Sequence, residues 1–243
     1  MHRLKGLYYN LLDSWQRRNW RNSLDKSSIH GEVLMFHHIT DEYVDTIPVC
    51  RCAVKVFEHY LDDYQKKGFH FVSLDEAYSI IHNRKDSNPF CVLTFDDIPD
   101  NVYQNAYPIL KKRGIPFSVF ITTKFVDWIN PKTGEQYITM QHLKELDKDM
   151  LCTVGAHTSN HTMLREEINS KKEMLDNKEW LESLLGHPIE YLAYPYGKHS
   201  SISHKVQRQA EDIGFKCAFG TIEAPITDTS SKHLHFLPRI PRY

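Results

Sequence analysis

The fold of this chain is decided by residues 90–97, which read FCVLTFDD. Residues 90–95 form a short apolar run that is typical of a β-strand. Two adjacent aspartates, Asp96 and Asp97, follow it directly. Where strands and helices alternate, the carboxyl ends of the strands form the active-site face. The run therefore predicts a strand and, at its end, the position of a functional site.

Segments with strand and helix character alternate on both sides of this run. Strands are predicted at 33–36, 70–74, 90–95, 116–122, 151–155, 189–194, 215–219 and 234–240, and helices at 54–67, 75–81, 101–112, 140–146, 166–185 and 203–213. The alternation predicts an α/β fold with a parallel sheet covered by helices. About eight strands in a stretch of this length favour a (β/α) barrel over an open sheet.

A pair of histidines four residues apart lies in residues 155–161, which read GAHTSNH. Chance pairs are common in a chain with 15 His, and Thr158 stands where the zinc-protease motif has Glu. If a helical turn begins near His157, its ring and that of His161 point the same way. Two imidazoles and one carboxylate suit a catalytic zinc-type site with an open position for water. A second carboxylate would then be available to take a proton from that water.

The candidate residues share one position relative to the predicted strands. Each group follows a strand end: His37 and His38 the first, Asp96 and Asp97 the third, His157 the fifth, and residues 194–197 (YPYG) the sixth. Because the carboxyl ends of barrel strands lie on one face, we expect these residues to line one pocket.

The first thirty residues are interpreted as a separate element. Leu4, Leu7, Leu11 and Trp15 recur at helical spacing, and residues 1–26 contain six Lys or Arg against two Asp. A basic amphipathic helix of this kind lies on a membrane surface or, more commonly, packs on its own domain or on a partner. We therefore divide the chain into an amphipathic helical extension (1–30) and a main domain (31–243).

Composition limits the classes of function. A formal net charge of −1 over 243 residues gives no reason to expect a nucleic-acid partner. No apolar run approaches the ~20 residues of a membrane span. Arg3 and Lys5 are not followed by a signal-like apolar core, so we expect a cytoplasmic protein, peripheral at the inner membrane face if the basic helix binds lipid. The cysteines are expected to be small buried or loop residues rather than disulfides.

Three motifs, in this order, resemble those of the polysaccharide deacetylase family, the NodB-homology enzymes of carbohydrate esterase family 4. They are TFDD at 94–97, HTSNH at 157–161 and YPYG at 194–197. Residues 33–39 (VLMFHHI) and 237–240 (LPRI) resemble the circularly permuted branch that includes the poly-N-acetylglucosamine deacetylases. The resemblance implies a distorted, NodB-like barrel of about seven strands in residues 31–243. It also implies removal of acetyl groups from an N-acetylated glycan.

The resemblance assigns a metal site and a base. Asp97, His157 and His161 would bind Zn²⁺ or another divalent metal such as Co²⁺ or Ni²⁺. Asp96 would be the general base. These roles suit the reaction, because a bound metal lowers the pKa of its water to about 7 and polarises the acetyl carbonyl. A carboxylate beside a cationic site also remains ionised.

The resemblance assigns the remaining roles to three strand ends. His37 would be the general acid that protonates the leaving amine, with His38 as its rival. Residues Tyr194, Pro195 and Tyr196 would contact substrate, with a backbone N–H near Tyr196 helping to hold the oxyanion, a contribution on the order of 3 kcal/mol. Aromatic side chains near strand ends are candidates for stacking on sugar rings: Tyr43, Trp128, Tyr137 and Tyr194.

Two departures from the family pattern affect the site. Many members have Gly after the aspartate pair, where this chain has Ile98 and then Pro99. An arginine that normally orients the base is replaced by Ala193. Arg239, at the end of the last predicted strand, is our candidate replacement, against the alternative of a plain structural ion pair.

Three hypotheses of function follow. The first is a metal-dependent hydrolase that removes acetyl groups from an N-acetylated sugar or polysaccharide. The second, motivated by Ile98 and Ala193, is a carbohydrate-binding protein that has lost turnover. The third is an amidohydrolase that acts on a non-sugar amide.

Overall fold

The computed structural model describes residues 2–41, 50–84 and 88–243, with side chains from residue 5 onward. The α-helices in these residues are α1 (His2–Ser23), α2 (Val54–Lys66), α3 (Leu74–Asn83), α4 (Tyr107–Arg113), α5 (Met140–Asp147), α6 (Ser170–Leu185) and α7 (His204–Ile213). The strands are β1 (Gly31–Phe36), β2 (His38–Thr40), β3 (Arg51–Ala53), β4 (His70–Phe71), β5 (Phe90–Asp96), β6 (Phe117–Ile121), β7 (Cys152–Ala156), β8 (Tyr191–Ala193), β9 (Cys217–Phe219) and β10 (Ile240–Pro241). None of the helices in these residues could span a bilayer.

One parallel sheet organises the molecule. Its strands lie in the order β10-β1-β5-β6-β7-β8-β9, and β4 pairs with the start of β5. Every pairing in this sheet is parallel. A separate two-stranded parallel ribbon joins β2 and β3. The predicted α/β architecture of seven or eight parallel strands is therefore confirmed.

The two edges of the sheet meet through the chain that leads into β10. Leu237 forms a parallel bridge with Phe219 at the end of β9, and Ile240 pairs with Leu34 of β1. Two hydrogen bonds hold the bridge: the Gly220 N–H donates to the Leu237 carbonyl at 2.8 Å, and the Leu237 N–H donates to the Ala218 carbonyl at 2.9 Å. The barrel is distorted because this short contact replaces a continuous strand pairing.

Successive side chains of β5 point alternately into two layers of the core. Cys91, Leu93 and Phe95 pack in an outer cluster under the helices, whereas Phe90 and Val92 pack in an inner cluster. Successive side chains of a strand point to opposite faces, so Thr94 and Asp96 share the inner side with Phe90 and Val92. The aspartate that ends the deciding stretch therefore faces into the barrel.

Two predicted elements change character in the structure, and others are shorter at their ends: the strands predicted at 70–74, 189–194 and 215–219 are reduced to β4, β8 and β9, and the helix predicted at 166–185 begins at Ser170. The predicted strand at 234–240 is instead a 3₁₀ turn (Leu234–Phe236) followed by β10. The predicted helix at 101–112 consists of a π-helical segment (Val102–Ala106) and then α4. Pro108 lies in the first turn of α4 and has no N–H to donate to the preceding turn, which favours the wider winding there.

The first predicted helix is present as α1, and one of its faces packs on the barrel. Trp20 is buried, and the Asp13 carboxylate accepts from the His199 backbone N–H at 3.1 Å and from its ring Nδ1 at 2.6 Å. Ser23 hydrogen-bonds Thr227 at 2.8 Å. The division of the chain at residue 30 remains a prediction.

Gly155 tests the close packing of the barrel interior. A Cβ built at Gly155 of β7 would lie 2.5 Å from the Phe120 ring and 3.0 Å from the Tyr191 carbonyl oxygen. We expect Gly155→Ala to lower the free energy of unfolding by about 1–3 kcal/mol, as overpacking of a core does. The measurement is urea unfolding followed by circular dichroism.

The matched control is Gly6→Ala on α1, where nothing lies within 4 Å of the added Cβ. Because alanine favours a helix over glycine, this variant should match the wild type or exceed its stability by up to about 1 kcal/mol. Equal stability of Gly155→Ala and wild type would contradict the packing described here.

Candidate metal and catalytic site

The predicted site residues converge on one cleft at the carboxyl ends of the strands. Neighbouring strands end in register, with Phe36 opposite Phe95 and Ile121 opposite Ala156, so the residues that follow them meet. The cleft has a volume of about 580 Å³. The predicted residues that line it are His37, His38, Asp96, Asp97, His157, His161, Tyr194 and Tyr196.

Asp97, His157 and His161 form a compact group of possible metal ligands. Asp97 Oδ1 lies 3.6 Å from His157 Nε2 and 3.4 Å from His161 Nε2. Donor atoms bound to one tetrahedral Zn²⁺ at about 2.0–2.2 Å lie about 3.3–3.6 Å apart, so both distances fit a shared ion. Among the described residues, Asp97 Oδ1 is buried without a hydrogen-bond partner. A buried, unpaired carboxylate oxygen between two imidazoles is the environment that a cation satisfies.

The protonation of the two histidines suits a metal ligand. His157 Nδ1 lies 2.7 Å from the Ala193 carbonyl oxygen, which only accepts, so Nδ1 carries the proton and Nε2 presents a lone pair. Burial lowers the pKa of His157 to about 3 and also lowers the pKa of His161. Burial raises the pKa of Asp97 to about 6, with Asp96 acting in the same direction.

The two histidines lie in a loop, where the prediction allowed for a helical turn. Helix α6 begins only at Ser170, and two of its side chains fasten the loop instead. Asn177 Oδ1 accepts from the His157 N–H at 2.9 Å, and the Glu173 carboxylate accepts from the Asn160 N–H at 3.0 Å. The rings face one another because the loop bends, with Thr158 at φ +68° and His161 at φ +56°.

Two strained three-residue turns in the site have Asp97 and Tyr196 as their central residues. The Ile98 N–H donates to the Asp96 carbonyl at 2.7 Å across Asp97, which has φ +62°. The Gly197 N–H donates to the Pro195 carbonyl at 2.8 Å across Tyr196, which has φ +63°. Left-handed backbone at residues other than glycine is uncommon and clusters at functional sites.

Asp96 lies in a buried ion pair with Arg239. Arg239 Nη1 donates to Asp96 Oδ1 at 2.7 Å and Nη2 donates to Oδ2 at 2.6 Å, and the arginine is 0% exposed. Burial alone would raise the pKa of Asp96, but the Arg239 charge, with His157 nearby, lowers it to about 2. The candidate base is therefore ionised at neutral pH, and Arg239 occupies the place predicted for an orienting arginine.

The two candidate acids have different surroundings. His37 Nδ1 is buried and lacks a hydrogen-bond partner among the described residues. Burial lowers the pKa of His37, although the charges of Asp96 and Asp97 act in the opposite direction. His38 Nδ1 instead lies 2.9 Å from the Glu135 carboxylate, which also binds Arg51 at 3.1 Å. His38 is therefore oriented by the Glu135 carboxylate, whereas His37 lies close enough to Asp96 and Asp97 for their charges to affect its pKa.

The third motif leaves one backbone donor available. The Tyr194 N–H donates to the Phe219 carbonyl, its hydroxyl donates to the His235 carbonyl at 3.0 Å, and its ring is 0% exposed. Pro195 has no N–H. Among the described residues no acceptor pairs with the Tyr196 N–H, and the Tyr196 ring lies 5.0 Å from that of His161. Of the three residues predicted to contact substrate or oxyanion, Tyr196 is the one whose backbone N–H is unpaired within the described part of the chain. The Tyr194 ring is buried and is not accessible to a sugar.

Aromatic side chains form one wall beside the site. Phe125 lies 5.9 Å from His161 and contacts both Trp128 and Tyr137, with ring centroids 5.3 and 4.9 Å apart. Burial and the charge of Asp97 raise the pKa of Tyr137 to about 12. Of the four predicted stacking candidates, Trp128 and Tyr137 pack beside His161 through Phe125 but do not line the cleft, and Tyr194 is buried. Tyr43 lies outside the described residues.

Eight further residues, which the sequence analysis did not assign to the site, line the cleft: Arg17, Met35, Cys50, Lys198, Thr221, Glu223, Pro241 and Tyr243. Thr221 and Glu223 follow β9, so the rule that strand ends carry the site would have found them. Lys198 lies just beyond the third motif. Arg17 comes from α1, and no pattern in the sequence connects that helix with the strand ends.

Comparison with known proteins identifies the family. The family model for polysaccharide deacetylases matches residues 83–218, more than half of the chain, and this protein belongs to that family. Members of the family depend on a metal ion, in agreement with the ligand group described above. The predicted family membership is confirmed.

Two relatives extend the likeness. The Bacillus subtilis protein YxkH, which carries the same family name, is 25% identical over 211 residues, 86% of this chain and 70% of YxkH. The poly-beta-1,6-N-acetyl-D-glucosamine N-deacetylase of Staphylococcus aureus is 30% identical over 158 residues, or 61% of this chain. That alignment spans about half of the staphylococcal protein, 52% of its length.

Solved structures share the fold. The Streptococcus pyogenes deacetylase PplD superimposes with a TM-score of 0.76 at 24% identity, covering 88% of this chain and 92% of PplD. IcaB from Ammonifex degensii gives a TM-score of 0.73 at 24% identity, with the same coverage of 88% and 92%. These likenesses support the distorted barrel described above.

The Arg239–Asp96 pair predicts a large and specific effect on stability. We expect Arg239→Met to lower the free energy of unfolding by about 3–5 kcal/mol, because it leaves a buried carboxylate unpaired. The double variant Asp96→Leu/Arg239→Met should recover most of this loss, since neither charge remains to be buried. Urea unfolding of the three proteins measures both effects.

The exposed pair Arg21–Glu223 is the matched control, with side chains 56% and 41% exposed. Arg21→Met should change stability by less than about 1 kcal/mol. A loss of similar size in Arg21→Met and Arg239→Met, or no recovery in the double variant, would contradict the importance of the buried pair.

Proposed function

We propose that this protein is a metal-dependent hydrolase that removes the acetyl group from an N-acetylated sugar in a glycan, with Zn²⁺ as the first metal to test and Co²⁺ or Ni²⁺ as alternatives. One observation carries the proposal: an unpaired carboxylate and two neutral imidazoles lie beside a second carboxylate that an arginine keeps ionised. The S. aureus relative, a poly-beta-1,6-N-acetyl-D-glucosamine N-deacetylase, makes that polymer the first substrate to test.

Asp97, His157 and His161 are the residues that would hold the metal. When bound, the ion lowers the pKa of a water molecule and polarises the acetyl carbonyl. Asp96 accepts the proton of the attacking water. Its low pKa of about 2 makes it ionised throughout the neutral range, and Arg239 fixes its orientation through both carboxylate oxygens.

The developing oxyanion and the leaving amine need one donor each. The backbone N–H of Tyr196, whose ring lies 5.0 Å from that of His161, is the oxyanion donor that this chain supplies. His37 donates a proton to the departing amine, and His38 is the alternative donor. Protonation is required because an amine anion is a very poor leaving group, so the acid contributes to cleavage of the C–N bond.

Two features that motivated a non-catalytic hypothesis are compatible with turnover. Arg239 brings a guanidinium to Asp96 from another strand, so the lack of an arginine at Ala193 does not leave the base unpaired. Ile98 is 0% exposed and leaves its side chain outside the cleft, while its N–H closes the turn at Asp97. These observations favour the enzyme over a carbohydrate-binding protein.

Acetate release from defined sugars tests the proposal. Protein loaded with Zn²⁺, Co²⁺ or Ni²⁺ should release acetate from β-1,6-linked N-acetylglucosamine oligomers or from chito-oligosaccharides. Asp96→Asn should reduce turnover at least about 100-fold and retain the metal, because it removes the base and spares the ligands. His161→Ala should lose both the bound metal and turnover. Metal bound per chain after dialysis measures the first loss, and acetate release measures the second.

His187→Ala is the control for histidine removal, because His187 is on the surface and pairs with Asp147 at 2.7 Å, away from the cleft. It should retain metal and turnover. Tight glycan binding without acetate release would select the non-catalytic hypothesis. Release of acetate from small amides, together with inhibition by amides but not by sugars, would select the non-sugar amidohydrolase.

The role of His37 predicts a dependence on the leaving group. We expect His37→Ala to slow hydrolysis of the sugar amide by about 10²–10⁴-fold, as loss of a general acid does, and His38→Ala by less than about tenfold. Hydrolysis of 4-nitrophenyl acetate, whose leaving group needs no proton, should fall much less in His37→Ala.

The ratio of amide to ester hydrolysis measures this difference and separates proton donation from a purely structural role. The opposite ranking of the two variants would assign the acid to His38. A uniform loss on both substrates would contradict an acid role for either histidine.

A further inference from the structure

Helix α1 carries a row of large apolar side chains that are exposed to solvent. Leu7, Leu11 and Trp15 recur every four residues and therefore lie on one side of the helix, with Tyr8 beside them. Their exposed fractions are 59%, 61%, 65% and 58% in the order Leu7, Leu11, Trp15 and Tyr8. Eleven large apolar side chains are exposed among the described residues, and four of them lie on α1. We call Leu7, Tyr8, Leu11 and Trp15 the α1 ridge.

The side of α1 that packs on the barrel carries both polar and apolar residues. Asp13 is buried against His199, and Trp20 packs against the His233 ring at 6.1 Å. The Tyr9 ring lies under the Arg165 guanidinium at 4.4 Å. These contacts fix the rotation of the helix about its axis. In this orientation the barrel leaves the ridge exposed, and Tyr8 and Trp15 also border the groove between α1 and the barrel.

The surface around the ridge is basic. The described basic side chains of α1 are Lys5, Arg17, Arg18 and Arg21; Arg17 also lines the catalytic cleft and Arg21 pairs with Glu223. Its one acidic side chain, Asp13, is paired with His199. A groove of about 730 Å³ runs between α1 and the barrel, with Tyr8 and Trp15 among its lining residues. Arg165, Lys205 and Lys232 also line it, and none of its described lining residues is Asp or Glu.

We propose that the α1 ridge docks on an anionic phospholipid surface. An in-plane helix with leucine and tryptophan on one side and Lys or Arg beside them inserts its apolar face at the headgroup boundary, where each basic residue gains from nearby lipid phosphates. An acidic protein partner would account for the charge, but the chemistry of a tryptophan–leucine ridge bordered by basic side chains matches the interface of a bilayer. The inference is independent of the deacetylase activity.

Vesicle flotation of the full chain tests the docking. Wild-type protein should float with phosphatidylcholine vesicles that contain about a quarter phosphatidylglycerol, and much less with pure phosphatidylcholine. Leu11→Ser/Trp15→Ser should lower the partition coefficient at least about tenfold. Arg18→Glu/Lys205→Glu should lower it by a similar factor at about 0.1 M salt and by less at about 0.5 M, because salt screens the charge contribution.

Two control variants match these changes elsewhere on the surface. Ile129→Ser/Met150→Ser removes exposed apolar side chains that are 55% and 101% exposed and lie outside α1. Lys66→Glu/Lys112→Glu makes the same change in charge at the ends of α2 and α4. Both should float like the wild type, and all variants should retain the wild-type circular dichroism spectrum.

Sedimentation of the protein without vesicles distinguishes the other occupants of the ridge. A wild-type dimer that Leu11→Ser/Trp15→Ser converts to a monomer would show that a second copy covers the ridge, and would overturn the proposal. A monomer that fails to float, or that floats equally well on neutral vesicles, would also overturn it.

Discussion

The buried ion pair between Arg239 and Asp96 is the contact on which both the barrel and the site depend. Two charges removed from water are costly unless they are paired with good geometry, and here both carboxylate oxygens are held by one guanidinium. Arg239 also donates to the Gly220 carbonyl at 2.9 Å and to the Thr94 hydroxyl at 3.2 Å. One side chain therefore connects β5, the end of β9 and the segment that enters β10. The contact that joins the edges of the sheet is also the one that keeps the candidate base ionised.

Around this rigid pair, the site is built from backbone that most residues avoid. Asp97, Ile98, Thr158, His161 and Tyr196 all have positive φ. Each such residue costs on the order of 1–3 kcal/mol, which the surrounding sheet must offset. At two of these positions the distortion has a clear geometric result. It brings the Asp97 carboxylate to 3.6 and 3.4 Å from the two imidazoles, and it places the Tyr196 ring 5.0 Å from that of His161.

The strand pattern predicted much of this arrangement, because it depends on local periodicity. Asp96, Asp97 and His157 each follow a short apolar run, and a parallel sheet brings the ends of such runs together whatever their distance in sequence. The fold class and the convergence of these residues on one cleft could therefore be predicted. The direction of each side chain could not be predicted from the sequence. It depends on backbone turns at Asp97 and His161, and the residue types at these positions do not indicate a turn.

Contacts between distant segments were the harder part. Arg239 lies 143 residues from Asp96, and its choice as partner relied on the expectation that the last strand adjoins the first. The segment 234–240 has the composition of a strand, yet residues 234–236 form a 3₁₀ turn, because only Leu237 and Ile240 reach the sheet edges. Arg17 reaches the cleft from a helix whose position depends on the buried contact between Asp13 and His199.

The distance in sequence between Asp96 and Arg239 means that the ion pair of the site can form only after residue 239 has been synthesised. A fragment that stops before Arg239 would contain the whole ligand group, Asp97, His157 and His161, yet would have to bury Asp96 without its cation. Such an intermediate would protonate that carboxyl group or keep it hydrated. The candidate metal ligands and the arginine that pairs with Asp96 therefore belong to separate parts of the chain, and the ligand group is complete in sequence 78 residues before Arg239.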